Sequence, residues 1–173
     1  MTITLAAVAL FTLAADDAAE KFKKEIGALA AGIGKAKTVV LHEGLPHQTF
    51  ESELLAKELK AKKTAKVGGF PFYEETVGLK DAEKDGLLEL LKAESSYKPF
   101  SGEKRCGGFH PDWAVEFKDG DDAYRVLICF GCGEAKILGP KKAELRTDLG
   151  EKVGGKLEAL LKAKRKNRPE KKK

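Results

Sequence analysis

Three cysteines and one histidine in the second half of the chain have the residue types and the spacing of a metal site. Cys106 and His110 belong to one segment, and Cys129 and Cys132 belong to another, which gives the pattern C-x3-H-x18-C-x2-C. Thiolate sulfur and imidazole nitrogen are preferred ligands of Zn²⁺, and four of them complete a closed tetrahedral site. The sequence therefore predicts a structural Cys3His zinc site formed by Cys106, His110, Cys129 and Cys132.

The same cysteines permit other chemistry. The chain contains three of them, so an oxidising compartment would allow one disulfide and leave one free thiol. A redox-active Cys129-x-x-Cys132 is another alternative, although thioredoxin-like motifs begin a helix and this one is expected to join two strands. Buried and inert cysteines are the remaining possibility. A non-enzymatic protein with a zinc site is the first hypothesis, and a thiol- or metal-dependent enzyme or redox protein is the alternative.

A predicted hairpin brings the two ligand segments together. Residues 118–122 contain Asp-Gly and predict a tight turn between two strands. Antiparallel pairing around that turn makes the numbers of opposed residues add to about 241, so Asp112 faces Cys129. Cys106 and His110 then reach the same end of the sheet as Cys129. Asp112 is expected to orient the His110 imidazole without binding the metal itself.

Two further histidines precede this region. His42 and His47 lie in the segment LHEGLPHQ, which does not match the His-Glu-x-x-His pattern of metalloproteases. Ordinary histidines of a loop or a strand end are the expected interpretation. The alternative is that one of them reaches the ligand cluster and acts as a base or an open-site ligand. No cofactor-binding motif and no catalytic residue is identified.

The pattern of apolar residues along the chain predicts an α+β domain, with a mostly antiparallel sheet and two or three helices packed on one face. Its C-terminal part is expected to be a four-stranded meander, because short apolar runs are separated there by turn residues. Residues 95–108 are expected to be a loop. The predicted strands are 38–41, 68–73, 113–117, 124–130, 134–138 and 143–149, and the predicted helices are 50–60, 81–93 and one that starts at 148.

The N-terminal residues predict export. Residues 3–15 are an apolar run that is too short to span a bilayer but matches the hydrophobic core of a signal peptide. The first basic residue is Lys21, so the usual positive segment before that core is missing. We expect a signal peptide over 1–15, a flexible or helical lead-in over 16–37, one globular domain over 38–161 and a basic tail over 162–173. The location would be periplasmic or secreted, and the protein is not expected to be transmembrane.

The basic tail dominates the charge of the chain. Residues 162–173 contain eight Lys or Arg and one Glu, whereas the other 161 residues contain 24 basic and 26 acidic groups. The body therefore lacks the charge excess of a nucleic-acid-binding protein. The tail could contact anionic surfaces, but a frayed, solvated end is the expected interpretation. The sequence identifies no partner.

Two resemblances accompany these motifs. The segment CFGCGE resembles the knuckle of zinc-ribbon and rubredoxin-like sites, where a tight turn directs two thiolates to one metal. Together with CGGFHPD, it also resembles small exported bacterial proteins without an assigned activity. The first resemblance implies metal binding by Cys129 and Cys132, and the second carries over no function.

Overall fold

The computed structural model describes residues 6–104 and 106–169, and within them the chain has the predicted α+β fold. The sheet is antiparallel throughout its pairings. The helices are α1 (Ala6–Ile33), α2 (Ser52–Ala61), α3 (Asp81–Lys92) and α4 (Glu151–Lys162). The strands are β1 (Thr38–Glu43), β2 (Thr64–Val67), β3 (Phe70–Tyr73), β4 (Tyr97–Pro99), β5 (Trp113–Asp119), β6 (Asp122–Cys129), β7 (Glu134–Leu138) and β8 (Glu144–Leu149).

A six-stranded sheet in the order β1-β5-β6-β7-β8-β4 forms the centre of the molecule. The predicted four-stranded meander is confirmed, since β5 to β8 pair consecutively. The predicted hairpin register is also confirmed, because Trp113 lies opposite Ile128 and Phe117 lies opposite Tyr124. The pairing continues one step further, where the Asp112 amide donates to the Ile128 carbonyl at 2.7 Å. This register brings the segment before β5 to the end of β6.

The two faces of the sheet carry different layers. On one face, α1, α3 and α4 pack onto Trp113, Val115 and Phe117 of β5 and their neighbours, and this cluster is the main core. On the other face, the β2–β3 hairpin covers Ala114 and Leu127. Because successive strand residues point to opposite faces, alternate residues of β5 reach each layer.

The N-terminal lead-in is a helix that belongs to the folded body. Ile26, Leu29 and Ile33 of α1 are buried in the main core, so the expected domain start at 38 is too late. Residues 6–15 form the first turns of this helix, whereas residues 1–5 of the predicted signal peptide lie outside the described residues. Within the described part of the chain, no helix combines the length and apolar character needed to cross a bilayer.

Residues 164–169, here called the C-terminal strap, lie against the body. The backbone amides of Lys166, Asn167 and Arg168 donate hydrogen bonds of 3.0, 2.6 and 3.0 Å to the Glu43 carboxylate. Glu43 is buried at the end of β1, and a buried carboxylate needs such donors. The prediction of a frayed, solvated end is therefore wrong for these residues.

One local prediction is also wrong, because the expected loop over 95–108 contains β4, which pairs with β8 at the sheet edge. In α2, Leu59 is 49% exposed, whereas Glu58 is buried. The Tyr73 hydroxyl donates a 2.9 Å hydrogen bond to Glu58, and this bond makes burial of the charged residue acceptable.

Candidate cysteine site

A cavity of about 300 Å³ lies where β6 ends, and all four predicted ligand residues line it. The hairpin register thus brings Cys106 and His110 to Cys129 and Cys132, as the sequence predicted. Four further polar residues line the walls. His47 and Glu51 come from the segment before α2, Asp112 follows His110 in its own segment, and Arg168 comes from the C-terminal strap.

The three cysteines are divided into a disulfide and a free thiol. Cys106 and Cys132 are bonded to each other with their Cα atoms 5.7 Å apart, and Cys129 is free and buried. This corresponds to the alternative of one disulfide and one leftover thiol. Among residues 6–104 and 106–169, no group of three or more His, Cys, Asp or Glu side chains is arranged to hold a metal. A zinc site of these four residues would require the disulfide to be reduced and stays a prediction.

Cys129 is held in place by backbone amides. Its sulfur accepts hydrogen bonds from the backbone N–H groups of His110 and Cys132. Burial raises the pKa of the thiol, and the nearby charges of Asp112 and Glu134 raise it further, against the lowering effect of the two amides. Cys129 is therefore a protonated thiol at neutral pH, and its sulfur lies at the backbone amide of the disulfide-bonded Cys132.

A glycine turn folds over the disulfide. The carbonyl oxygen of Gly108 lies 3.6 Å from the Cys106 sulfur and 3.7 Å from the Cys132 sulfur. These are van der Waals contacts, because disulfide sulfurs carry no hydrogen to donate. Gly107 has a φ of +77°, and a Cβ there would lie 3.1 Å from both the His47 and the Phe50 rings. Only glycine fits this position without strain or displacement of a ring.

The His110 and His47 rings contact each other at the cavity in a tilted arrangement. Their ring centroids are 4.6 Å apart with an interplanar angle of 38°. Burial lowers the pKa of His110, and the neighbouring His47 lowers it further, so the His110 imidazole is neutral at pH 7. One of its nitrogens donates to the Pro46 carbonyl. The other nitrogen keeps a lone pair that can accept a proton or bind a metal.

Whereas His110 donates a hydrogen bond through one ring nitrogen, His47 accepts one. Its Nδ1 accepts the backbone N–H of Thr49 at 3.0 Å, so the neutral ring carries its proton on Nε2. Nε2 is buried and has no hydrogen-bond partner among the described residues. His47 thus reaches the site, as one sequence alternative proposed, and its role as a base or an open-site ligand stays a prediction.

His42 is separate from the cavity. It lies on β1 against the Phe72 ring at 6.3 Å, and neither of its ring nitrogens has a partner in the described part of the chain. Burial lowers the pKa of His42. It is a neutral packing residue, as the simpler interpretation expected.

Asp112 and Arg168 connect the cavity walls. One Asp112 oxygen accepts the Phe130 amide at 2.9 Å, and the other accepts from Arg168 at 3.1 Å. Asp112 acts on His110 only through its charge, which raises the pKa of the imidazole; the predicted orienting hydrogen bond is not among its contacts. Sequence reasoning missed Arg168 because the tail was assigned to solvent. One signal could have indicated Arg168: acidic residues that become buried need positively charged or N–H partners.

Comparisons with protein-family models, curated proteins and solved structures found no match. The resemblance of the CFGCGE segment to metal-binding knuckles therefore stays a prediction.

Proposed function

We propose that the protein is an exported thiol–disulfide protein in which the Cys106–Cys132 disulfide and the Cys129 thiol exchange. The observation that carries this proposal is the hydrogen bond from the Cys132 amide to the Cys129 sulfur. That bond holds the sulfur of the free thiol at the backbone of a disulfide-bonded cysteine, and all three cysteines line one cavity. A disulfide is typical of oxidising compartments, and the apolar segment over 3–15 has the length of a signal-peptide core.

The exchange is a nucleophilic substitution at sulfur. Cys129 loses its proton, and the thiolate attacks the Cys132 sulfur. The Cys129–Cys132 bond forms as the Cys106–Cys132 bond breaks, and the electron pair leaves with the Cys106 sulfur. Cys106 then takes up the proton, so no external oxidant or reductant is needed. The product carries its free thiol on partly exposed Cys106, where a disulfide of a second protein could react with it.

The surroundings offer a proton acceptor and access to the disulfide. The neutral His110 imidazole offers a lone pair near Cys129 for the released proton. Gly107, Gly108 and Gly131 are exposed beside the disulfide, and a Cβ on Gly108 or Gly131 would meet no heavy atom within 4 Å. The sulfurs are therefore open to an approaching molecule from that side.

Alkylation under native conditions tests the exchange. Iodoacetamide is added to the full chain at pH 8.5, and the labelled cysteines are mapped by mass spectrometry without reduction. We expect label on Cys106 together with a Cys129–Cys132 disulfide, and no label on Cys106 in the Cys129→Ala variant. Label confined to Cys129 in the unmodified protein would overturn the proposal.

A zinc site is the second candidate function. Two observations favour it: the four predicted ligands line one cavity, and two amides face the Cys129 sulfur, as in the knuckle that CFGCGE resembles. The disulfide and the metal would use the same sulfurs, so zinc could bind only the reduced form. Anaerobic titration of the reduced protein with Zn²⁺ tests this. One tightly bound ion per chain that is lost in Cys132→Ala supports it, and weak binding equal in both proteins contradicts it.

A further inference from the structure

We infer that Phe50 is a specificity-determining residue of the cysteine site and that the substrate is a disulfide-bonded polypeptide with an apolar side chain next to its cysteine. This inference rests on the proposed thiol–disulfide function and names the substrate class of the same site. Two large apolar side chains in the described part of the chain are exposed, Phe50 at 64% and Leu59 at 49%. Phe50 lines the cavity that holds the three cysteines, whereas Leu59 is not among its lining residues. Its position beside the disulfide, and not its exposure alone, distinguishes the Phe50 ring.

The Phe50 ring lies beside the residue that follows Cys106. A Cβ on Gly107 would be 3.1 Å from Cε2 and 3.2 Å from Cζ of this ring, and Gly107 follows Cys106 directly in the chain. In a polypeptide whose cysteine is joined to Cys106, the neighbouring residue is displaced by the same spacing of about 3.8 Å between Cα atoms. An apolar side chain on that neighbouring residue therefore reaches the Phe50 ring.

The ring is held in place before any substrate arrives. Its centroid is 4.6 Å from that of the His47 imidazole, at an interplanar angle of 38°. The turn that carries Phe50 is closed by the Glu51 amide, which donates to the His47 carbonyl at 2.8 Å. An aromatic side chain that is already packed on one side loses little conformational entropy when a partner covers it. Phe50 thus offers preformed apolar area in the wall of the cavity.

The open side of the cavity admits an extended chain. Gly107, Gly108 and Gly131 are exposed there, and a glycine lets another backbone approach closely because it has no side chain. The cavity volume of about 300 Å³ is at the lower end for ligand pockets, so it suits a cysteine and a neighbouring side chain but not a folded domain. The reacting cysteine of the substrate therefore lies in an exposed or unfolded segment.

The charges of the walls disfavour a small anionic disulfide. Glu51 and Asp112 contribute two carboxylates, and Arg168 is the one Lys or Arg among the described lining residues. The Arg168 guanidinium already pairs with both carboxylates. An anionic disulfide such as oxidised glutathione would therefore meet an excess of negative charge, which opposes its approach. A neutral peptide segment meets no such repulsion.

Two neutral peptide disulfides serve as probes at one fixed pH. They are the symmetrical disulfides of acetyl-Gly-Phe-Cys-Gly-amide, the Phe probe, and of acetyl-Gly-Gly-Cys-Gly-amide, the Gly probe. The Cys106 thiolate that the internal exchange releases attacks one probe sulfur, so a Cys106–probe disulfide forms as the probe disulfide breaks. The electron pair leaves with the other probe sulfur, which takes up a proton.

Initial rates of probe attachment are measured at pH 8.5 on the full-length protein by intact-mass spectrometry, and the modified cysteine is mapped. Probe concentrations are kept where the rate is proportional to concentration. The ratio of the two rates then cancels any change in the internal exchange, because that step is common to both probes.

We expect the Phe probe to react about tenfold faster than the Gly probe, because contact between two aromatic rings buries apolar area. This preference should be lost in Phe50→Ala and kept in Phe50→Tyr, which retains an aromatic ring. It should also be kept in Leu59→Ala, the matched control that removes the other exposed apolar side chain. Oxidised glutathione should react no faster than the Gly probe.

Equal rates for the two probes in the unmodified protein would overturn the inference, and so would a preference that survives in folded Phe50→Ala or is lost to the same degree in Leu59→Ala. If Phe50→Ala does not fold, Phe50→Gln takes its place, and the comparison in the unmodified protein needs no variant. Failure of the proposed function gives a different result, in which neither probe attaches to Cys106, and the inference falls with it.

Discussion

The sulfur of Cys129 accepts a hydrogen bond from the backbone amide of Cys132, although the side chain of Cys132 is bonded to Cys106. This relationship distinguishes the site from a purely structural disulfide, because a third cysteine sulfur contacts the backbone of a disulfide-bonded cysteine and lines the same cavity. It also connects the two candidate functions, since the same sulfurs would serve exchange in the oxidised form and metal binding in the reduced form.

Removal of Cys106 should transfer the disulfide to the neighbouring pair. In Cys106→Ala, mild oxidation is expected to join Cys129 to Cys132 within one chain, because their backbone and sulfur are already in contact. Mass spectrometry of the intact protein checks this as a loss of two hydrogens per monomer. A disulfide-linked dimer, or two persistent free thiols, would show that the two sulfurs cannot meet.

Loss of the native disulfide should destabilise the fold without abolishing it. The bond closes a loop with a sequence separation of 26 residues, and the double variant Cys106→Ala, Cys132→Ala should lose about 3 kcal/mol in the free energy of unfolding. The loop before Cys106 keeps other attachments, since Lys104 pairs with Asp148 at 3.0 Å and Glu103 pairs with Arg146 at 2.8 Å. Urea denaturation measures the change. A loss under about 1 kcal/mol would mean that these attachments alone hold the loop.

Glu43 should anchor the C-terminal strap. Glu43→Gln replaces one acceptor oxygen by an amide nitrogen that would face a backbone donor, so unfolding should require about 2 kcal/mol less free energy. The expected accompanying change is faster proteolysis within residues 164–169. Glu75→Gln is the matched control, because the exposed carboxylate of Glu75 pairs with the Lys166 side chain of the same strap. The backbone carbonyl of Glu75, which accepts from the Asn167 side-chain amide, is kept in that variant. Equal protease sensitivity in the two variants would contradict the anchoring role.

Acid should destabilise the protein partly through His42. Its pKa is lowered in the folded state by burial, so the unfolded chain binds the proton more readily. The stabilising contribution of the neutral ring is thus present above the unfolded pKa of about 6.5 and is lost as the pH falls through that value. Burial lowers the pKa of His110 as well, which adds a contribution of the same sign. His42→Leu should flatten the pH dependence of urea denaturation between pH 7 and pH 5, and an unaltered slope would refute this assignment.

The sheet and the gathering of the cysteines were predictable from local patterns. The Asp-Gly turn after β5 determines the register of the hairpin, and that register alone brings Cys106 and Cys132 to one end of the sheet. The strand predicted over 143–149 likewise matches β8. These features depend on residues that are close together in the sequence, so one sequence is enough to predict them.

The rest depends on contacts between distant residues. Arg168 meets Glu51 and Asp112 across 117 and 56 residues, and no local pattern marks such partners. The sequence also does not distinguish a metal site from a disulfide, because both need the same sulfurs in the same place. β4 was missed since its three residues are shorter than any periodic signal, and its pairing with β8 is decided by tertiary packing.

The rate at which Cys106 acquires label, measured against pH in the unmodified protein and in Cys129→Ala, tests the central claim most directly. Because only the thiolate attacks and burial raises the pKa of Cys129, the rate should rise about tenfold per pH unit from pH 7 to beyond the usual thiol value of about 8.5. It should be absent in Cys129→Ala. A Cys106 labelling rate that is independent of pH, or equal in the two proteins, would contradict exchange between Cys129 and the disulfide.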